Sequence, residues 1–358
     1  MLADLWDAKT ARVLFTILVF VLALGFLRGA RDTLTLFLFA ILFAYFIDPL
    51  VSFCARLVHG RIKGIIATYV VLGGVCTGLG ILLGPRMANE AKALLSSMPE
   101  LADRMASGQF ILSVGQNHGW THDRAFQFQS FFMNHRDAIV AYGENLASNL
   151  EAPLSHVWWL ILIPILSVFF LKDARVMAIN LVELSGDTRK RLLLRGIVND
   201  VNVMLGSYIR AQLILASLTA VVLTSVLGVM RAPFAFVLGP MAGICEFVPV
   251  VGPTVACVAI FGIALLAGFP HLLWIFLFLG TWRAIQDYVN APRIMGKSLE
   301  ISPLAEIFGV LAGGEIGGVI GALIAVPLLA ILHILWLRLS VVKDVDAQVT
   351  DEVHGRLS

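Results

Sequence analysis

The stretch Ala232–Pro253, APFAFVLGPMAGICEFVPVVGP, is apolar enough to sit in a bilayer, yet it carries prolines at 233, 240, 249 and 253. Each internal proline removes a backbone donor and clashes with the turn before it, so one continuous helix is excluded. Broken backbone at membrane depth is tolerated only where it is buried in protein or lines a cavity. One acid, Glu246, sits beside the break. The pattern returns at an offset of 70 residues as Ser302–Gly321, SPLAEIFGVLAGGEIGGVIG, with Pro303 under Pro233, Ala305 under Ala235, Gly309 under Gly239 and Gly313 under Gly243. Two interrupted apolar segments in corresponding halves are the sequence mark of a transport site. The competing reading of the same residues is a pair of kinked packing helices in an ordinary membrane bundle.

Of the 358 residues, 59% are hydrophobic and 14% charged, against about 25% charged in ordinary soluble domains. The expected fold is an all-α polytopic membrane protein of about 6–8 transmembrane segments. Two of them are Gly/Pro-broken, re-entrant-like helical hairpins, and a small helical extracytoplasmic segment is added. No basic block points to nucleic acid. The cysteines Cys54, Cys76, Cys245 and Cys257 have no metal-ligand spacing, and neither metal nor cofactor is expected. Met295–Ser298 (MGKS) imitates a phosphate-binding loop, but Ala291 replaces the first glycine and Pro292 follows, which removes the Gly-rich turn such a loop needs. With no HExxH and no GxSxG, an enzyme is not expected.

Residues 1–84 hold three expected spans, Val13–Leu27, Leu34–Cys54 and Gly64–Gly84. Met1–Leu27 has no small-residue cleavage site, so it reads as a retained span and not a signal peptide. Residues 85–156 are polar with helix-like apolar spacing and read as amphipathic helices outside the membrane. His118, His122 and His135 within them match no compact metal site. Residues 157–210 comprise the span Val157–Leu171, with Trp158 and Trp159 as interfacial anchors, and a loop rich in Lys and Arg. That loop and Arg56, Arg61 and Lys63 place the N-terminus in the cytoplasm, although Arg28 and Arg31 oppose this orientation. Residues 211–340 form the core, with broken repeats at 232–268 and 302–339, and 341–358 form a charged cytoplasmic tail.

Three motifs carry a resemblance. They are Glu246–Pro253 (EFVPVVGP), Gln286–Ser298 (QDYVNAPRIMGKS) followed by Ser302-Pro303, and Gly313–Pro327 (GGEIGGVIGALIAVP). In order and spacing they resemble the autoinducer-2 exporter (AI-2E) family of bacterial membrane proteins. Val250 stands where that family commonly has an aromatic or polar residue, and Glu306 interrupts a usually apolar run. The resemblance implies a homo-oligomeric, pentameric permease of the bacterial inner membrane. It implies export of autoinducer-2 or, as in other members, sodium/proton antiport.

An intramembrane acid is a functional hypothesis by default. Glu246 and Glu315 lie beside helix-breaking residues, where freed carbonyls could share a cation with the carboxylate and a proton could be exchanged. The alternative is that either acid pairs with Arg283 or Arg293 and only fixes packing. Gln286, Asn290 and Arg293 share one helical face if the helix continues to Pro292, and could contact a polar solute; Asp287 reads as a solvated helix end. Pro249, Gly252, Pro253, Pro303, Gly313, Gly314, Gly317, Gly318, Gly321 and Pro327 are the expected hinge and break positions. The expected function is a secondary transporter of a small polar solute by alternating access. Its alternatives are Na+ or K+ exchange for protons through the same acids, and a non-transporting oligomeric envelope scaffold.

Overall fold

The computed structural model describes residues 8–107, 137, 157–183, 186–295 and 302–357. The three histidines at 118, 122 and 135 and the Gly-Lys-Ser of the loop-like motif lie outside them. The described residues contain helices and no strands, as an all-α polytopic protein requires. In chain order these are α1 (Ala8–Gly29), α2 (Arg31–Leu57), α3 (Arg61–Ser107), α4 (Val157–Glu183), α5 (Thr188–Val229), α6 (Ala235–Cys245), α7 (Val251–Leu266) and α8 (Leu272–Ile285). A π-helical turn (Gln286–Asn290), α9 (Ala291–Met295) and α10 (Pro303–Leu357) follow. Among the described residues, five stretches are long and apolar enough to cross a membrane: Arg12–Gly29, Arg31–Leu57, Arg61–Leu101, Thr188–Val229 and Pro303–Ser340.

The chain divides into two compact units, one of Met1–Thr68 and Leu154–Met177, the other of Tyr69–Pro153 and Ala178–Ser358. In the first, α2 buries one stripe, Leu36, Ala40, Ala44, Ile47 and Val51, at spacings of four and three. Phe37 meets Phe170 of α4 edge-on at 6.1 Å. A Cβ on Gly64 would lie 2.6 Å from Ala55, so glycine is what lets the start of α3 cross the end of α2. Arg61 closes this corner by donating from Nε and Nη2 to the Leu171 carbonyl at 3.0 and 2.7 Å.

In the second unit α6 lies antiparallel on α5. A Cβ on Gly239 would enter Thr224, and one on Gly243 would come within 2.7 Å of the Ala216 carbonyl and Ala220 Cβ. Two glycines four residues apart thus let the backbones touch. Leu223 and Leu227 of α5, Leu238 and Ala242 of α6, Ala256 and Ile260 of α7 and Ile275 and Leu279 of α8 form one core. At 11 and 16 residues, neither α6 nor α7 reaches across a hydrocarbon core of about 30 Å alone.

The prolines act where the sequence places them. Pro249 and Pro253 bracket the break between α6 and α7. Val250, with φ 64° and ψ −56°, is the centre of a γ-turn closed by the Val251 N–H on the Pro249 carbonyl at 2.7 Å, a rare and strained conformation for a β-branched residue. Gly252 must be glycine, since its Cβ would fall on the Cys245 carbonyl oxygen. Pro303 opens α10, where the Ser302 hydroxyl accepts from the Ala305 N–H at 3.3 Å.

α10 is folded on itself at Gly318 (φ 60°, ψ −146°). A Cβ on Gly313 would come within 3.1 Å of Ala325 and also meet the Gly321 carbonyl, and Gly309 faces Ala325 and Leu329. A straight helix would hold Gly313 and Gly321 about 12 Å apart, so the two halves run antiparallel as a second hairpin. Pro327 lies within its returning arm.

The third helix exceeds the span read from the sequence. It continues through Pro85 and Pro99 to Ser107, and its polar extension grips the open ends of the first hairpin. Glu90 accepts the Phe236 N–H at 2.8 Å, Arg86 sits 5.7 Å over the Phe236 ring, and Arg104 donates to the Leu266 carbonyl at 3.3 Å. An acid thus meets the N-terminus of α6 and a base the C-terminus of α7, each matching the sign of the helix dipole there.

Candidate functional site

The break between α6 and α7 delivers Glu246 to a buried polar cluster. Its side chain is 9% exposed, and Thr219 of α5 donates its hydroxyl to Oε1 at 3.0 Å. The Thr219 oxygen in turn accepts from Gln286 Nε2 at 2.6 Å, and Gln286 Oε1 accepts from Asn290 Nδ2 at 2.6 Å. Every donor in the chain Asn290, Gln286, Thr219 points toward Glu246. Such a chain polarises cooperatively onto its last acceptor. Gln212 secures the break itself, donating to the Glu246 backbone carbonyl.

Arg283 of α8 places Nη1 3.6 Å from the Glu246 carboxylate and donates Nε to Asp287 Oδ2 at 2.8 Å. One guanidinium therefore serves two carboxylates. The pairing of Glu246 with Arg283 foreseen from the sequence is present, and it is placed in a cavity wall. That cavity, of about 150 Å³, is lined by Gln212, Glu246, Pro249, Val250, Pro253, Arg283, Gln286, Asp287 and Glu306, among others. The arms that meet there are α5, the tip of the first hairpin, the end of α8 and the first turn of α10.

The sequence-derived candidates separate. Glu246, Gln286 and Asn290 come together, with Pro249 and Pro253 in the cavity wall. Glu315 does not join them; it is exposed beside the fold at Gly318. Arg293 is exposed as well, although four-and-three spacing puts it on the face of Gln286 and Asn290. The reason is the π-helical turn Gln286–Asn290, whose extra residue per turn rotates everything after it. Gln212 and Thr219 are not among the candidates read from the sequence, and Glu306 enters there only as an acid that interrupts an apolar run. Gln212 and Thr219 stand seven residues apart on α5, but Ser217, Thr224 and Ser225 share that span, so spacing alone does not mark them.

Comparison with known proteins agrees with this architecture. The profile of the AI-2E family transporters matches residues 14–340. The chain belongs to the AI-2E transporter family. It is 24% identical to YrrI of Bacillus subtilis, provisionally named a transport protein, over 93% of this chain and 95% of that one. It is 22% identical to TqsA of Escherichia coli, named an AI-2 transport protein, over 86% of each. Over 35% of each chain it is 33% identical to MT0215 of Mycobacterium tuberculosis, again provisionally named for transport. This member of the family is thus a bacterial membrane protein of the transport class, and its family points away from enzymes.

Proposed function

We propose that this AI-2E family protein is a secondary transporter of the bacterial inner membrane that exports a small polar solute such as autoinducer-2. It works as a homo-oligomer, by alternating access around its two broken helices. The observation that carries this reading is Glu246, an acid delivered by a helix break to the wall of a cavity where both hairpins meet.

The chemistry follows from the charges. An ionised Glu246 attracts Arg283 and terminates the donor chain from Thr219, which holds the hairpin tip against α5 and α8. Protonation of Glu246 weakens its attraction for Arg283 and leaves that guanidinium to Asp287. A proton taken up at this acid therefore loosens the tip, and a proton lost tightens it. Gln212, Gln286 and Asn290 supply the amide groups that a hydroxyl-rich solute needs. Two hairpins that both reach one cavity offer the pair of elements that alternating access requires.

The test is efflux of labelled autoinducer-2 from proteoliposomes holding the purified full chain. Wild type should release the label faster than empty liposomes, and Glu246→Gln should cut the rate at least tenfold while eluting at the wild-type size. Unchanged flux in Glu246→Gln would overturn the assignment of the site. A sodium- or potassium-driven proton signal in wild type, lost in Glu246→Gln, would replace solute export with cation/proton exchange. Loss of function only on deletion of residues 85–156 would favour an envelope scaffold.

A further inference from the structure

Where α5 ends and α8 begins, the two helices leave a groove of about 400 Å³ lined by Val226, Met230, His271, Trp274 and Phe278. α5 runs toward this end and α8 runs away from it. Val226 and Phe278 therefore form the deep part of the groove, and Met230, His271 and Trp274 its mouth. The seven residues from His271 to Phe278 give it a depth of roughly 10 Å. Val229, Leu273 and Phe276 beside it are apolar and exposed, so the groove opens on a face that meets lipid. A concave apolar surface there gains its dispersion contacts only when a chain fills it. Its mouth has a different chemistry. Trp274 is 65% exposed, with an apolar ring and one N–H donor, the pattern of a residue at the boundary between acyl chains and headgroups.

The mouth also carries a cation in an unusual backbone. Arg231, next after Met230, has φ 56°. Its N–H bonds the Gly228 carbonyl at 3.0 Å, and the Ala232 N–H bonds the Leu227 carbonyl at 2.9 Å. These two bonds make the Schellman ending of a helix, whose left-handed position is usually glycine. An arginine held there against backbone strain is the mark of a side chain in use. Arg231 is exposed and makes no ion pair among the described residues. No acid lines the groove to oppose an anion. His271 caps α8 through its carbonyl, which accepts the Trp274 N–H at 3.1 Å. Its ring makes no capping bond and stands edge-on to Phe269 at 5.8 Å.

We propose that this groove is a binding site for one anionic phospholipid. An acyl chain lies along Val226, Met230 and Phe278, and Arg231 meets the phosphate, with Trp274 and His271 at the headgroup boundary. The groove shares no lining residue with the Glu246 cavity, and the lipid site does not depend on what that cavity carries.

The full chain, stripped of lipid in detergent, is titrated with phosphatidylglycerol or phosphatidylethanolamine, and bound lipid is counted by native mass spectrometry. The first phosphatidylglycerol should bind about fivefold more tightly than phosphatidylethanolamine, the difference that one basic contact makes. Arg231→Gly keeps the left-handed turn and removes the cation. It should bring phosphatidylglycerol down to the level of phosphatidylethanolamine, while the unfolding midpoint of the lipid-free protein is no lower than in wild type. Val226→Phe, which fills the groove, should remove the first bound lipid of either kind. No preferred first lipid in wild type, or a preference that both variants keep, overturns the proposal. Glycerol 3-phosphate that displaces phosphatidylglycerol at equal concentration overturns it too, because the site then holds a free phosphate. Wild-type protein that binds no lipid but forms a pair of chains broken by Val226→Phe overturns it in favour of a second copy in the groove.

Discussion

Thr219 stands between Gln286 and Glu246, giving its proton to the carboxylate at 3.0 Å and taking one from the amide at 2.6 Å. A single hydroxyl thus joins α5, the π turn after α8 and the tip of the first hairpin. Nothing else on α5 both donates and accepts within this cluster. Gln212 only donates, to a backbone carbonyl.

Thr219→Val keeps the shape and removes both bonds. It leaves one lone pair of Glu246 unmet, while Gln286 retains the Leu215 carbonyl at 3.2 Å. An unsatisfied buried polar group costs about 1–3 kcal/mol, so the midpoint of thermal unfolding should fall by several degrees. Transport should fall further than stability does, because the donor chain to Glu246 is cut. Equal flux in Thr219→Val and wild type would show that the chain plays no part in the cycle. Thr219→Ser, which restores the hydroxyl, should recover most of the loss.

The second hairpin makes contrasting demands on its glycines. At Gly313 and Gly321 each backbone occupies the space that the other's Cβ would need, whereas Gly317 faces open space. Overpacking of a tight contact costs about 1–3 kcal/mol. Gly313→Ala and Gly321→Ala should therefore each lower the unfolding midpoint and the yield of folded protein in detergent, and Gly317→Ala should be close to neutral. Equal behaviour of all three would mean that the second segment is not folded back at Gly318.

Much of this arrangement was legible in the residues. The prolines at 249 and 253 forced a break beside an acid, and the break is there. The break in the second segment was read from its glycines as well, and α10 does fold back at Gly318. What the sequence could not convey was where that turn leaves its acids. Glu315 drew attention because glycines surround it, but those glycines make the turn and leave the acid exposed at the tip. Glu306, an acid in an apolar run, is the one brought to the cavity, because the first turn of α10 meets the tip of the first hairpin. Arg293 was placed by 3.6-residue arithmetic that a π turn does not obey. Gln212 and Thr219 were hidden for another reason: single polar residues on an apolar span are common, and only their partner across the bundle tells which of them matter.

Val250 stores strain at the break. A non-glycine residue at positive φ is held there at a cost of about 1–3 kcal/mol, and glycine adopts the same turn freely at an entropic cost of about 0.5–1 kcal/mol. Val250→Gly should accordingly leave the fold as stable as wild type or raise its unfolding midpoint slightly. If the strained turn helps the tip leave α5, relief of strain should slow transport while stability is kept. A variant that is both more stable and equally fast would remove strain from the mechanism.

The clasp on the first hairpin can be tested at its acid. Glu90 accepts the Phe236 N–H at 2.8 Å, one of the donors that the first turn of a helix leaves without an internal partner. It also places a negative charge at the positive end of α6. Loss of a helix cap costs about 1 kcal/mol, which corresponds to roughly fivefold faster local opening. Glu90→Ala should therefore raise hydrogen exchange at Phe236 and Val237 by about that factor while exchange in α5 stays unchanged. Glu90→Gln keeps an acceptor but not the charge and should fall between the two. Because α6 carries Glu246 at its far end, a loosened base should also blunt transport without altering residues in the cavity. Exchange at Phe236 that is identical in wild type and Glu90→Ala would show that the clasp does not hold the helix.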